Sequence, residues 1–163
     1  MEKNNSKLSA VICFIIKNDK ILLINKKRGF GAGKINGPGG KVEAGELPID
    51  AAVRETIEEI GIRPENPQKR AELYFHFTYG LELDVVVFTA ASYTGELIET
   101  DEAAPFWCGI KDIPFDSMWE DDIHWLPAVL SGKTCRAYFT FDDDEKLIKK
   151  KVELTDACRI SLE

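Results

Sequence analysis

Glu55, Glu58 and Glu59 stand at i, i+3 and i+4 in the segment GGKVEAGELPIDAAVRETIEEIGI, residues 39–62. On a helix that spacing lines three carboxylates along one stripe, where like charges repel by about 0.2–0.5 kcal/mol per pair. A solvated charged face is one account of such a run. The surroundings support another. A glycine-rich loop comes just before the segment, and Arg54 stands ready to hold one carboxylate in place. Clustered carboxylate oxygens are hard ligands suited to Mg²⁺ or Mn²⁺, whose charge removes the repulsion. Mg²⁺ keeps several waters and completes its shell with substrate phosphate oxygens, which suggests a phosphorylated substrate. A bound cation can acidify a water and neutralise phosphate charge while a free glutamate takes the proton. The outline is that of a diphosphate hydrolase.

Those residues need a frame. Pro48 suits the first helical position, where its missing N–H has no intrahelical partner anyway, and Gly61 suits the stop. Between them Ile49, Ala52, Val53, Thr56 and Ile60 gather on one face and the glutamates on another, with Ala51 among them. Upstream, AVICFII and KILLINKK flank a polar Asn18-Asp19 turn and predict a hairpin, while RGFGAGKINGPGG has too much glycine and proline for regular structure. Beyond Pro64 and Pro67, AELYFHFTY and LELDVVVFTAASY predict strands around Gly80, followed by a polar stretch and the apolar FWCGI. MWEDDIHWLPAVLSG predicts a second helical region with Pro127 in a first turn or at a kink, and CRAYFTF with KLIKKKVEL a closing hairpin. Strands and two helices around one core make a mixed α+β layered domain.

The 163 residues fit a single domain spanning 1–163. With 21 Lys and Arg against 28 Asp and Glu, the net charge of -7 gives no long-range attraction to nucleic acid or an anionic membrane. A polyanionic ligand must therefore be held by local donors or a bound cation. Cys13, Cys108, Cys135 and Cys158 form no CxxC pair and read as reduced thiols of a cytoplasmic protein. LSAVICFII is far too short for a membrane span, and His76 and His124 have no second histidine at ligand spacing.

Gly40, Glu46 and the run Arg54-Glu55-Thr56-Ile57-Glu58-Glu59-Ile60-Gly61-Ile62 resemble the Nudix box, Gly-x5-Glu-x7-Arg-Glu-aliphatic-x-Glu-Glu-x-Gly-aliphatic, agreeing at all seven fixed positions. Thr56 departs from the aliphatic preference, on the face expected to be buried. The resemblance implies an α/β/α sandwich with a mixed β-sheet, in which the box is a loop-helix-loop that binds metal. By position it implies that the Gly39 carbonyl, Glu55, Glu58 and Glu59 ligate metal, that Arg54 anchors a glutamate and that Glu46 braces the loop. Glu102, in TDEAAP, takes the place of a further ligand or proton acceptor. Family members differ in which glutamate is the base; the choice here falls on Glu59.

KKRGFGAGKINGPGGKVE (26–43), IPFDSMWEDDIHWLP (113–127) and RAYFTF are similar to the mammalian MutT-type branch of that family, which removes oxidised purine nucleoside triphosphates; the similarity runs from about residue 11 to 153. It implies a base pocket of Asn36, Trp119, Asp121 and Asp122 with Phe30 and Phe75 as walls, and Lys26 and Lys41 near the triphosphate beside Gly39 and Gly40. An indole offers a base a stacking face, and of two neighbouring carboxylates out of water one keeps its proton. Moving that proton between Asp121 and Asp122 would, as the resemblance implies, let one pocket read both 6-oxo and 6-amino purines. Each residue also has a plainer reading: Trp119, Phe30 and Phe75 as core, the Asp pair as a helix cap, Asn36 as a turn former and the lysines as solvated charges.

The expected reaction is Mg²⁺-dependent hydrolysis of 8-oxo-dGTP and 2-hydroxy-dATP to monophosphate and pyrophosphate, with water attacking the β-phosphorus. The expected partner is the small-molecule nucleoside triphosphate, without nucleic acid or membrane, in a monomer. Two alternatives stay open. Pro38 and the loop near Gly80 depart from the pattern beside the pocket, which leaves room for a Nudix hydrolase of another nucleoside triphosphate or a dinucleoside polyphosphate. A nucleotide sensor that does not cleave is the other, against which the intact carboxylate set stands.

Overall fold

The computed structural model describes residues 6–156; Cys158 lies outside them. In chain order the elements begin with β1 (Ser6–Lys17), β2 (Lys20–Lys26), β3 (Ile35–Asn36), β4 (Gly39–Lys41) and α1 (Pro48–Ile60). There follow β5 (Ile62–Glu65), β6 (Gln68–Phe77), β7 (Leu81–Ala90), β8 (Ser92–Gly95) and β9 (Ala103–Gly109). Last come α2 (Asp122–Leu130), β10 (Lys133–Phe141) and β11 (Leu147–Asp156).

Asn18 and Asp19 both adopt positive φ, 54° and 60°, as a tight type I′ hairpin turn demands. The hairpin they close is short, with only Ile16↔Ile21 and Lys17↔Lys20 paired. The strands then part: β1 runs parallel to β7, and β2 antiparallel to β9. The main path is β11-β10-β6-β7-β1-β2-β3, and the parallel β1/β7 and β6/β10 pairs among antiparallel ones make the sheet mixed. Successive side chains of a strand point to opposite faces. Val11, Cys13 and Ile15 therefore pack with Ala51, Ala52 and Ile60 of α1, while Phe14 packs with Trp125, Leu126 and Val129 of α2. One helix covers each face, giving the expected α/β/α sandwich.

Several elements differ from the sequence reading. The glycine-proline loop contains β3 and β4, because chain without side chains can lie directly on β1: a Cβ on Gly39 would come within 2.0 Å of the Val11 carbonyl oxygen. Pro64 sits inside β5, which pairs with β8 as a separate two-stranded ribbon where an edge proline costs no shared bond. Helix α1 is also rotated from its apolar periodicity. Ala51, Ala52, Thr56, Glu59 and Ile60 are buried and Ile49 is 39% exposed, since the helix lies against β1 and β4 with its smallest residues facing them. Buried Thr56 satisfies its hydroxyl by donating to the Ala52 carbonyl at 2.7 Å. The second helix begins only at Asp122, and Pro127 lies inside it at the sixth position, where it can give no bond to the Ile123 carbonyl. Its buried Trp125, Leu126 and Val129 hold the helix to the sheet.

Candidate active site

Helix α1 ends with Glu59 turned inward, its side chain 1% exposed. Its Oε1 accepts the Gly39 N–H at 3.3 Å, and Lys26 Nζ stands 3.7 Å from Oε2. Burial raises its pKa to about 7; Lys26 and the Gly39 N–H oppose the rise, while Glu102 and Glu55 add to it. Glu55 is likewise pushed up by burial, against the pull of Arg54. The Arg54 fork donates to Glu46 at 2.8 and 2.9 Å, to Glu55 at 2.9 Å, to Glu58 at 3.2 Å and to the Lys41 carbonyl at 3.0 Å. That contact holds Glu46 down at about 2. The loop backbone lies hard against α1, for a Cβ on Gly40 would fall 2.3 Å from the Glu55 carboxyl carbon.

A cavity of about 660 Å³ opens beside this group. Of the residues expected at the site, Lys26, Phe30, Asn36, Gly39, Gly40, Lys41, Glu55, Glu59, Phe75, Glu102, Trp119, Asp121 and Asp122 all line it. Arg54 and Glu58 do not: Arg54 stands behind Glu55, and the Glu58 side chain is 55% exposed at the outer side of that ion pair. Leu8, Ile12 and Leu83 add apolar wall that the sequence reading missed, although the alternation along β1 and β7 marks them.

At the start of α2, Asp121 and Asp122 are 1% and 3% exposed. The plainer reading as a helix cap fails, because neither gives a capping bond; Asp121 Oδ2 instead accepts the Trp125 indole N–H at 2.8 Å. Trp125 is a site residue the sequence reading missed, and its i+4 relation to Asp121 was the available signal. Burial raises Asp121 to about 6 and Asp122 well above the usual range, where Asp121 repels its charge as well. Asp122 Oδ2 has no hydrogen-bond partner among the described residues. A buried oxygen left so costs about 1–3 kcal/mol, a deficit that a ligand's N–H or O–H would remove. Trp119 is 9% exposed and is both core and wall. Phe30 stacks on it at 5.2 Å and 19°, and Lys34 Nζ lies 4.9 Å from its ring centre. Phe30, itself 47% exposed, thus lies with the indole on the cavity wall.

Among the described residues no three acidic, histidine or cysteine side chains converge into a ready metal cage. The donor chemistry nevertheless fits a divalent cation. Glu55, Glu59 and Glu102 share one cavity wall, and each charge there raises the cost of the next. Hard oxygens with too little positive charge among them are what such a cation relieves.

The NUDIX domain family model matches residues 6–129. A *Danio rerio* protein named oxidized purine nucleoside triphosphate hydrolase is 42% identical over 149 residues, 91% of this chain and 95% of that one. Its *Mus musculus* namesake is 36% identical over 147 residues, 90% and 94% of the two chains. The crystal structure of a MutT protein from *Bacillus halodurans* superposes with a TM-score of 0.79 at 25% identity, covering 90% of this chain and 97% of the other. The box at α1, the sandwich that presents it and these matches agree: the chain belongs to the Nudix family.

Proposed function

We propose that this protein hydrolyses oxidised purine nucleoside triphosphates, 8-oxo-dGTP and 2-hydroxy-dATP, to the monophosphate and pyrophosphate, keeping miscoding precursors out of DNA synthesis. The observation that carries the reading is that one cavity joins the Glu55, Glu59 and Glu102 group to the buried Asp121–Asp122 pair, so cleaving and base-reading chemistry share a single ligand. The names of the zebrafish and mouse relatives support it across most of the chain.

Mg²⁺ or Mn²⁺ would be held by Glu55, Glu59 and Glu102, with the Gly39 carbonyl and Glu58 completing the expected set, and would supply charge neutralisation and a more acidic water. The protein's own groups do the rest. Asp121 and Asp122, with Asn36, fix the purine edge, and a wrong edge leaves buried groups unpaired. Phe30, Trp119 and Phe75 hold its faces. Lys26 reaches toward the phosphates from beside Glu59, and Arg54 keeps Glu55 from swinging away. Glu59, held inward with Oε1 on the Gly39 N–H, is suited to take the proton of the attacking water as it adds to the β-phosphorus; the bond from that phosphorus to the α–β bridging oxygen breaks, the nucleoside monophosphate departs, and pyrophosphate keeps the new oxygen. A monomer working in the cytoplasm belongs to the same proposal.

The test is turnover of 8-oxo-dGTP and 2-hydroxy-dATP against dGTP, GTP and diadenosine polyphosphates, with and without Mg²⁺, identifying pyrophosphate or phosphate as product. Strong preference for the oxidised purines with release of pyrophosphate is expected. Equal use of dGTP would remove the sanitising role and leave the chemistry.

A further inference from the structure

We infer that Thr100 is a positioning residue that sets Glu102 against Glu59. Thr100 lies outside the Nudix box, in the chain between β8 and β9, and lines no part of the cavity. Its hydroxyl is shared between the backbones of two acidic residues: it donates to the Glu59 carbonyl at 2.7 Å and accepts the Glu102 N–H at 3.2 Å. The Glu59 carbonyl is one of those that the last turn of α1 leaves without an intrahelical partner. Thr100 therefore caps the helix from another part of the chain, and through the same oxygen fixes the loop that carries Glu102.

The main chain of Thr100 fastens two further points. Its N–H donates to Ala103 O at 3.0 Å, closing the turn around Glu102, and its carbonyl accepts Lys27 Nζ at 2.9 Å. Lys27 N–H in turn donates to the Glu102 carbonyl at 2.9 Å. Lys27 is the neighbour of Lys26, which faces Glu59, so one residue registers α1, the Glu102 turn and the end of β2 together. Among the described residues the loop's other contacts each tie fewer points: Glu99 pairs with Lys27 in the open at 3.0 Å, Ile98 N–H holds the Ile60 carbonyl one residue further on, and Arg28 holds the Glu102 carboxylate at an exposed 3.4 Å. A methyl in place of the hydroxyl keeps the shape and leaves both backbone groups unpaired, freeing Glu102 to drift from Glu59.

The inference rests on the proposed metal-assisted hydrolysis, and its test separates the two. The variants are T100V, T100S, E102Q and the double T100V/E102Q, assayed for kcat and KM with 8-oxo-dGTP and for Mn²⁺ binding by electron paramagnetic resonance without nucleotide. Outer partners of metal ligands typically govern affinity or rate by about 10–100-fold, and T100V is expected at the low end, with kcat and Mn²⁺ affinity each falling about tenfold while KM stays within about twofold. T100S should restore both. In the E102Q background T100V should add little, because its effect passes through Glu102. Full additivity, or Mn²⁺ affinity and kcat unchanged in T100V, overturns the inference. So does a T100S that behaves like T100V, and this comparison stands even if valine impairs folding. Absence of divalent-dependent turnover in the wild-type protein would instead remove the proposed function.

Discussion

Two groups of carboxylates face the same cavity and settle their charge differently. On α1, Glu59 and Glu55 have cations within reach: Lys26 stands 3.7 Å from Glu59, and Arg54 donates to Glu55 at 2.9 Å. At α2, Asp121 Oδ2 accepts the indole N–H of Trp125, Asp122 Oδ2 has no hydrogen-bond partner, and no ion pair to a lysine or arginine holds either among the described residues. Both groups are pushed toward the neutral form by burial. A cluster whose carboxylates still repel one another despite Lys26 and Arg54 is one that a further cation can complete; a pair with no cation beside it is one that a proton completes. Under the proposed function the difference divides the labour: the first group would serve cleavage, and the second would read a base by hydrogen bonds whose sense follows the proton.

The largest break in that comparison is Glu59→Gln. Loss of a positioned base costs about 10²–10⁴-fold, so kcat should fall about a thousandfold while product nucleotide still binds, measured by steady-state kinetics and calorimetric titration. A variant with near-normal kcat would move the base to another glutamate. Gly40→Ala comes next. The added methyl would overlap the Glu55 carboxylate at 2.3 Å, and since a misplacement of about 1 Å can cost 10²-fold, kcat should drop about a hundredfold with the base pocket untouched. Trp119→Ala attacks the other region and should act mainly on KM. Base–aromatic stacking is worth about 1–3 kcal/mol, a rise of about 5- to 150-fold in KM, though Phe30 can take part of the contact. An unchanged KM would remove the indole from the pocket.

The two regions were unequally legible in the sequence. Local signals show directly in residue types, which is why Pro48 and Gly61 bound α1 as expected and Asn18-Asp19 make their turn. The box places Glu55 and Glu59 at the cavity because spacing on one helix is fixed by the helix. What depended on remote partners was not readable. β4 exists because β1 lies beneath it, the rotation that buries Ala51 and exposes Ile49 comes from the sheet below α1, and Thr100 acts through residues far away in the chain. Asp121 and Asp122 were recognisable by resemblance alone; their dependence on Trp125 needed the fold.

The smallest expected effect tests the proton itself, through Asp122→Asn. The unfolded-state value of an aspartate is about 3.9, and in the folded protein Asp121 is raised to about 6 and Asp122 well above its usual range. The folded state thus binds more protons than the unfolded chain above about pH 4. Its contribution to stability is fully present below that point and is lost progressively as pH rises from about 4 through the folded values, for Asp121 about 6. The amide imitates the neutral acid, keeps a donor toward the cavity and cannot ionise, so the cost of charging Asp122 beside Asp121 disappears. Thermal melts of variant and wild type should therefore coincide near pH 4 and diverge as pH rises, the variant melting about 2–4 °C higher at pH 8, equivalent to about 1 kcal/mol for a chain of this size. A difference that does not change with pH would mean that the pair never exchanges its proton. The two regions would then differ in position alone, and the pocket would lose the means by which it reads both kinds of purine.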